Sequence, residues 1–148
     1  MLPSTTTRVA ANTDAAANER IRRQAEERIA WHALHRERIP ARLRELDWEW
    51  DIERAIEVTA ASVAFTGLML GLGRDRRLMV LPIAVTAFLL QHALLGWCPP
   101  VPVLRRLGFR TVAEIDRERM ALKALRGDFA EVPPGPQGAM RAMAAARE

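Results

Sequence analysis

The stretch Ala55–Gly73, AIEVTAASVAFTGLMLGLG, followed by Leu78–Trp97, LMVLPIAVTAFLLQHALLGW, decides how this chain folds. From Ala55 to Leu72 the only ionisable side chain is Glu57, and from Leu78 to Trp97 it is His92. Each segment runs for about 19–20 residues. At ~1.5 Å per residue the first spans roughly 28 Å, close to the ~30 Å of a bilayer's hydrocarbon. Between them, Arg74-Asp75-Arg76-Arg77 is a short charged turn. A helix that is apolar all round needs partners on every side in water, and the flanking sequence is too charged to supply them. The fold class expected is therefore all-α: a two-helix transmembrane hairpin over 55–97, with spans at 55–73 and 78–97 and flanking amphipathic cytoplasmic helices.

Glycines 67, 71 and 73 crowd the end of the first span, where they would weaken a soluble helix but permit close helix contact in a membrane. Pro82 falls in the first turn of the second helix, where proline is tolerated. Cys98-Pro99-Pro100 and Pro102 end it. Trp48 and Trp50 precede the first span and Trp97 closes the second. In a hairpin these places share one membrane face, at the interfacial depth tryptophan prefers. They are the expected interface anchors.

Outward from the spans, the 148 residues divide by composition. Residues 1–17 are polar and Ala/Thr-rich, lack the apolar core of a signal peptide, and read as a disordered lead. Residues 18–54 form a charged amphipathic helical region. Its first helix ends at Ile39, because Pro40 disfavours helix in the residue before it. A second helix begins near Ala41 and can run unbroken into the first span. In 98–129 a Pro-rich turn and a short connector, Val103–Gly108, lead to an Arg-rich amphipathic helix. Thr111-Val112-Ala113-Glu114 matches a capping box at its start, and Arg126-Gly127 marks its stop. Residues 130–148, rich in Pro, Gly and Ala, read as a disordered tail.

The formal net charge is +4, and Lys123 is the one lysine among 22 basic residues. Acids interleave with the arginines of the first third, which is the pattern of a solvated helix face and not of a nucleic-acid stripe. No nucleic-acid partner is expected. Arg42, Arg44 and Arg54 flank the entry to the hairpin and Arg105, Arg106 and Arg110 its exit, so the positive-inside rule places both termini in the cytoplasm of a bacterial cell, with the hairpin in the inner membrane.

Few residues are candidates for chemistry. Glu57, one turn inside the bilayer, is either a proton or ion ligand or a snorkelling carboxylate. Gln91 and His92 are polar groups suited to hydrogen bonding across helices. Thr59, Ser62 and Thr66 make one small polar face for packing on the other span or on a second subunit. The single cysteine, Cys98, rules out an intramolecular disulfide and a Cys-based zinc site. Its place at a helix C-terminus raises the pKa of a thiol. No catalytic constellation, metal site or cofactor motif is visible, and enzyme activity is not expected.

Several of these residues also carry a resemblance. Glu49-Trp50-Asp51-Ile52-Glu53-Arg54, the apolar span, Leu95-Gly96-Trp97-Cys98-Pro99-Pro100, Leu104-Arg105-Arg106-Leu107-Gly108 and Ala121–Phe129 resemble the YgaP-like transmembrane domain family. This domain of unknown function occurs alone or behind a rhodanese domain. The resemblance implies a two-span inner-membrane hairpin that tends to dimerise, with Gly96, Trp97, Cys98, Pro99 and Pro100 as its exit motif. No rhodanese segment is present here, so sulfurtransferase activity is not expected. Two functions follow as expectations. One is a non-catalytic dimerising membrane module or scaffold whose partners are the lipid bilayer, a second copy and a cytosolic protein. The alternative is a thiol-based carrier in sulfur or redox transfer that uses Cys98.

Overall fold

The computed structural model describes residue 4 and residues 6–147. Among these the protein is all-helical: α1 (Arg8–Ala11), α2 (Ala15–Leu34), α3 (Ile39–Trp48), α4 (Ile52–Gly73), α5 (Val80–Leu95), α6 (Pro100–Leu107), α7 (Val112–Arg126) and α8 (Pro136–Arg147). The chain divides into two compact units. One holds the chain through Ile21 together with Trp50–Val112; the other holds Arg22–Glu49 and the chain from Ala113.

The first unit is built on α4 and α5. Asp51 starts α4: it is extended (ψ 165°) and its side chain accepts the amide of Arg54 at 2.8 Å. The Ile52 amide donates to the Arg110 carbonyl at 2.8 Å. This N-cap separates α3 from α4, where the residue pattern allows one unbroken helix. An aspartate whose oxygen satisfies an orphan amide stops helix propagation from the N-terminal side, even where no proline or glycine intervenes. At the far end, Asp75 accepts the Arg77 amide at 2.9 Å and opens a 3-10 turn, Arg76–Met79, that feeds α5. Pro82 lies in the first turn of α5, as its chemistry predicts.

Glycines of α4 lie close against the 3-10 turn and the start of α5. A Cβ on Gly67 would lie 2.9 Å from both Leu81 Cβ and Pro82 Cδ, while one on Gly71 would meet the Met79 thioether. Gly73 faces open space. Leu81 Cβ and the Pro82 ring cannot swing aside, so Gly67→Ala is expected to cost about 1–3 kcal/mol as overpacking. Gly73→Ala should change stability little. Denaturation in mixed micelles with increasing SDS would show the difference, and equal midpoints for the two variants would contradict the contact.

Two helical stretches, Arg36–Gly73, which ends in α4, and Arg76–Leu95, which ends in α5, are by length and composition long and apolar enough to cross a membrane. Only 22% of the most apolar window of the first, and 6% of the second, is buried within the protein. Phe65, Leu72, Val80, Ile83 and Leu90 are each more than three-fifths exposed. Thr59, Ser62 and Thr86 donate their hydroxyls to carbonyls of their own helices at 2.7–2.9 Å, so these polar groups require no partner helix.

Three segments depart from expectation. Within the lead taken as disordered, α1 forms and Val9 is buried against Ile52, Ile56, Cys98 and Val101. A single branched apolar residue among alanines gives little periodicity, and its burial depends on residues 43 or more positions away. The connector Val103–Gly108 is mostly helix α6: prolines that end one helix also preset φ for the first turn of the next. The tail contains α8, again with a proline at its first position.

In the second unit, Ile39, Leu43 and Leu46 of α3 pack on Ile115, Leu122 and Leu125 of α7. Pro40 sits in the first turn of α3 and does not end a helix; α2 already stops at Leu34, and a 3-10 turn at Arg36–Arg38 follows. The α7 boundaries agree with the motif reading: the helix begins after Thr111 and ends at Arg126, with Gly127 left-handed at φ +97°.

Candidate functional site

The exit from α5 gathers most of the residues singled out by sequence. Gly96 is left-handed (φ +76°), and its amide closes α5 by donating to the His92 carbonyl at 2.8 Å. Two N-terminal side chains finish the cap. Arg8 Nη1 donates to the Ala93 carbonyl at 2.7 Å, and Asn12 Nδ2 to the Leu95 carbonyl at 2.9 Å. A guanidinium at a helix C-terminus also complements the helix dipole. Beyond Gly96 the chain turns through Trp97 and Cys98, and the Val101 amide donates to the Cys98 carbonyl at 3.0 Å.

Cys98 is only 2% exposed and sits in the core with Val9, Ile52, Ile56 and Val101. It also borders an apolar cavity of about 230 Å³ between α4 and α5, alongside Thr59, Ala60, Val63, Phe88 and Pro99. Burial pushes the thiol above its ordinary pKa, and the Val101 amide offsets this only in part. The principal cause is burial and not the helix dipole. In the window between the ordinary and the raised value the folded chain keeps a proton that the unfolded chain loses. Stability therefore falls as pH rises through that window. Alkylation of native Cys98 by iodoacetamide should stay slow beyond the ordinary thiol value of ~8.5, whereas the denatured chain follows the ordinary profile. A native midpoint at or below the ordinary value would mean that a base or water reaches the sulfur.

His92 is 6% exposed, and neither ring nitrogen has a hydrogen-bond partner among the described residues. The charges that reach it are Arg8 and Glu57. Glu57 itself is exposed, and Gln91 is half-buried. The structure thus brings His92 near Glu57 but adds no third ligand: among the described residues no group of three or more His, Cys, Asp or Glu could hold a metal ion. Trp50 and Trp97 lie at the same end of the α4/α5 pair, half and about one-third exposed, and the Arg54 guanidinium stacks 5.1 Å from the Trp50 ring centre. Trp48, in the other unit, is 80% exposed.

Two charged centres were not legible in the sequence. Arg105, expected to flank the membrane exit, is fully buried. It donates to Asn18 Oδ1 at 2.7 Å and to the Phe109 carbonyl at 3.0 Å. Arg20 in turn donates to the Arg106 carbonyl at 2.9 Å, capping α6. In the second unit, the buried carboxylate of Glu118 accepts from Arg42 Nε at 2.8 Å and from Arg28 at 3.1–3.3 Å. Arg42 also reaches Glu45 at 3.0 Å and Glu49 at 3.4 Å. Burial pulls the Arg42 pKa down, but these carboxylates outweigh it and hold the guanidinium charged. Lys123, 2% exposed, donates to the Ala145 and Ala146 carbonyls at 3.1 and 2.7 Å, at the end of α8. Nothing distinguishes Arg105 or Glu118 from their many charged neighbours in sequence. The asparagines at 12 and 18, in an Ala-rich stretch, were the available hint of capping.

Comparison with known protein families, curated proteins and solved structures finds no match to this chain.

Proposed function

We propose that this chain is an integral membrane protein of the bacterial inner membrane that crosses the bilayer twice, as a hairpin of α4 and α5, with both termini in the cytoplasm. It serves as a non-catalytic module that dimerises and presents its charged helices to a cytosolic partner. The observation that carries the reading is the exposure of α4 and α5. Fourteen large apolar side chains on these two helices stay open to the surroundings. Left in water, even at ~1 kcal/mol each, they would forgo on the order of 10 kcal/mol of burial, as much as the whole net stability of a typical domain. Lipid removes that cost with no further protein.

The interfacial tryptophans and the YgaP-like exit motif support the same architecture. A second copy has a narrow face to approach along Thr59, Ser62 and Thr66. No observation favours the thiol-carrier alternative, since Cys98 is buried and its burial raises the thiol pKa.

Carbonate washing of membranes from expressing cells, followed by detergent, tests the reading. Retention until detergent is added is the expected result. Release by carbonate would make α4 and α5 the core of a soluble oligomer and overturn it. A monodisperse monomer in several mild detergents, with no crosslinked species in cells, would remove the dimer.

A further inference from the structure

The residues after the second span form a helix with two unlike faces. On one side of α6, Val101 and Arg105 are fully buried and Leu104 packs on the core of the first unit. On the opposite side Val103 is 58% and Leu107 71% exposed, one helical turn apart. Arg106, exposed, lies beside them. Val103 and Leu107 extend the apolar surface that the end of α5 leaves exposed, and contiguous exposed apolar surface marks an interaction site.

Two observations say what covers them. The exposed apolar surface is continuous in sequence with the end of α5: Leu94, Leu95 and Trp97 are each about one-third to one-half exposed, and Val103 and Leu107 follow across the Cys98–Pro100 turn. No Asp or Glu occurs between Asp75 and Glu114, and of the arginines nearest the stripe Arg106 is exposed whereas Arg105 and Arg110 are buried. An apolar stripe edged by the exposed Arg106, in a segment that carries no acid, complements anionic lipid headgroups above acyl chains.

We infer that α6 is an in-plane interfacial helix, with Val103 and Leu107 inserted at the boundary of headgroups and acyl chains and Arg106 directed to lipid phosphate. The occupant of this face is the bilayer itself. Its buried side, locked by Arg105 to Asn18 and Phe109, makes α6 a rigid foot that sets the depth of the exit end of α5. The inference rests on the membrane reading above and adds a lipid contact outside the two spans.

Nitroxide labels in the full chain test it, in a Cys98→Ala background and in vesicles of phosphatidylethanolamine and phosphatidylglycerol. Labels are placed singly by Val103→Cys and Leu107→Cys, and as references by Ile83→Cys and Leu90→Cys. Collision with dissolved oxygen reports acyl chain, and collision with a water-soluble nickel complex reports solvent. The expected result is an oxygen-to-nickel ratio at 103 and 107 several-fold above that of the free label in buffer, though below that at 83 and 90. Nickel-accessible labels at 103 and 107 beside oxygen-rich labels at 83 and 90 would overturn the interfacial helix and leave the two spans standing. Labels at 103 and 107 shielded from both reagents would assign the face to protein and equally overturn it. Nickel access at 83 and 90 would overturn the membrane reading and this inference with it.

Discussion

Gly96→Ala is expected to destabilise the protein by about 2–4 kcal/mol and to release the N-terminal segment from the end of α5. Two costs add at this position. The first is conformational: Gly96 is at φ +76°, where a side chain costs about 1–2 kcal/mol. The second is steric. A Cβ here would lie 2.6 Å from the backbone carbonyl carbon, Cβ and Cγ of Arg8. Because the contact is partly to backbone, α1 itself must move. Its movement breaks the bonds from Arg8 to Ala93 and from Asn12 to Leu95, and exposes Val9. Gly108 separates the two costs. It is also left-handed, at φ +94°, but a Cβ there meets nothing within 4 Å. Gly108→Ala should therefore show the conformational cost alone. Micelle unfolding measures both variants, and hydrogen exchange over residues 6–13 shows whether α1 has come loose. Equal losses for the two variants, with unchanged exchange in α1, would contradict the docking of the N-terminal segment.

Removing the Glu118 carboxylate should unfold the second unit first. Breaking a buried ion pair by deleting one partner typically costs ~3–5 kcal/mol, because the surviving charge stays desolvated. Here the surviving guanidiniums retain some water: the Arg28 and Arg42 side chains are 33% and 17% exposed, and Arg42 keeps Glu45 and Glu49. The expected loss for Glu118→Ala is accordingly lower, about 2–4 kcal/mol. Glu118→Gln keeps the volume and one accepting oxygen, so it should lose less. Amides of α3 and α7 should exchange faster in both variants, in the same order. Wild-type protection in Glu118→Ala would mean that the arginines are satisfied without it.

How much of this was legible depends on the range of the interaction. The α7 boundaries follow from Thr111 and Gly127, whose cap chemistry acts within a turn. Pro82 behaves as its position predicts for the same reason. The break between α3 and α4 was missed even though Asp51 is a capping residue, because the charged run around it reads as a continuous helix face. Its N-cap is completed by the Arg110 carbonyl, 58 residues away in the chain. The helices within residues 1–17 and 130–148 are hidden from the local pattern for a similar reason. Helices α1 and α8 are short and weakly patterned. Val9 is buried by residues distant in sequence, and the end of α8 is held by Lys123.

The candidate site divides along the same line. The Gly96–Pro100 turn, the lone thiol and the polar residues Glu57, Gln91 and His92 could be found by reading along the chain. That His92 is left without a hydrogen-bond partner, that Cys98 faces an apolar cavity, and that Arg105 points inward could not, since each depends on which helices meet there.

By itself, the sequence determined the all-helical class, the two apolar helices and the charged turn between them, because composition and hydrophobic length act locally along the chain. Only the tertiary structure decided where α4 begins, that the N-terminal residues cap α5, that α6 is a helix with an uncovered apolar side, and that Glu118 and Arg105 are interior charges. Those features arise from groups distant in sequence satisfying one another's backbone and charge, and no local pattern records which partner each will find.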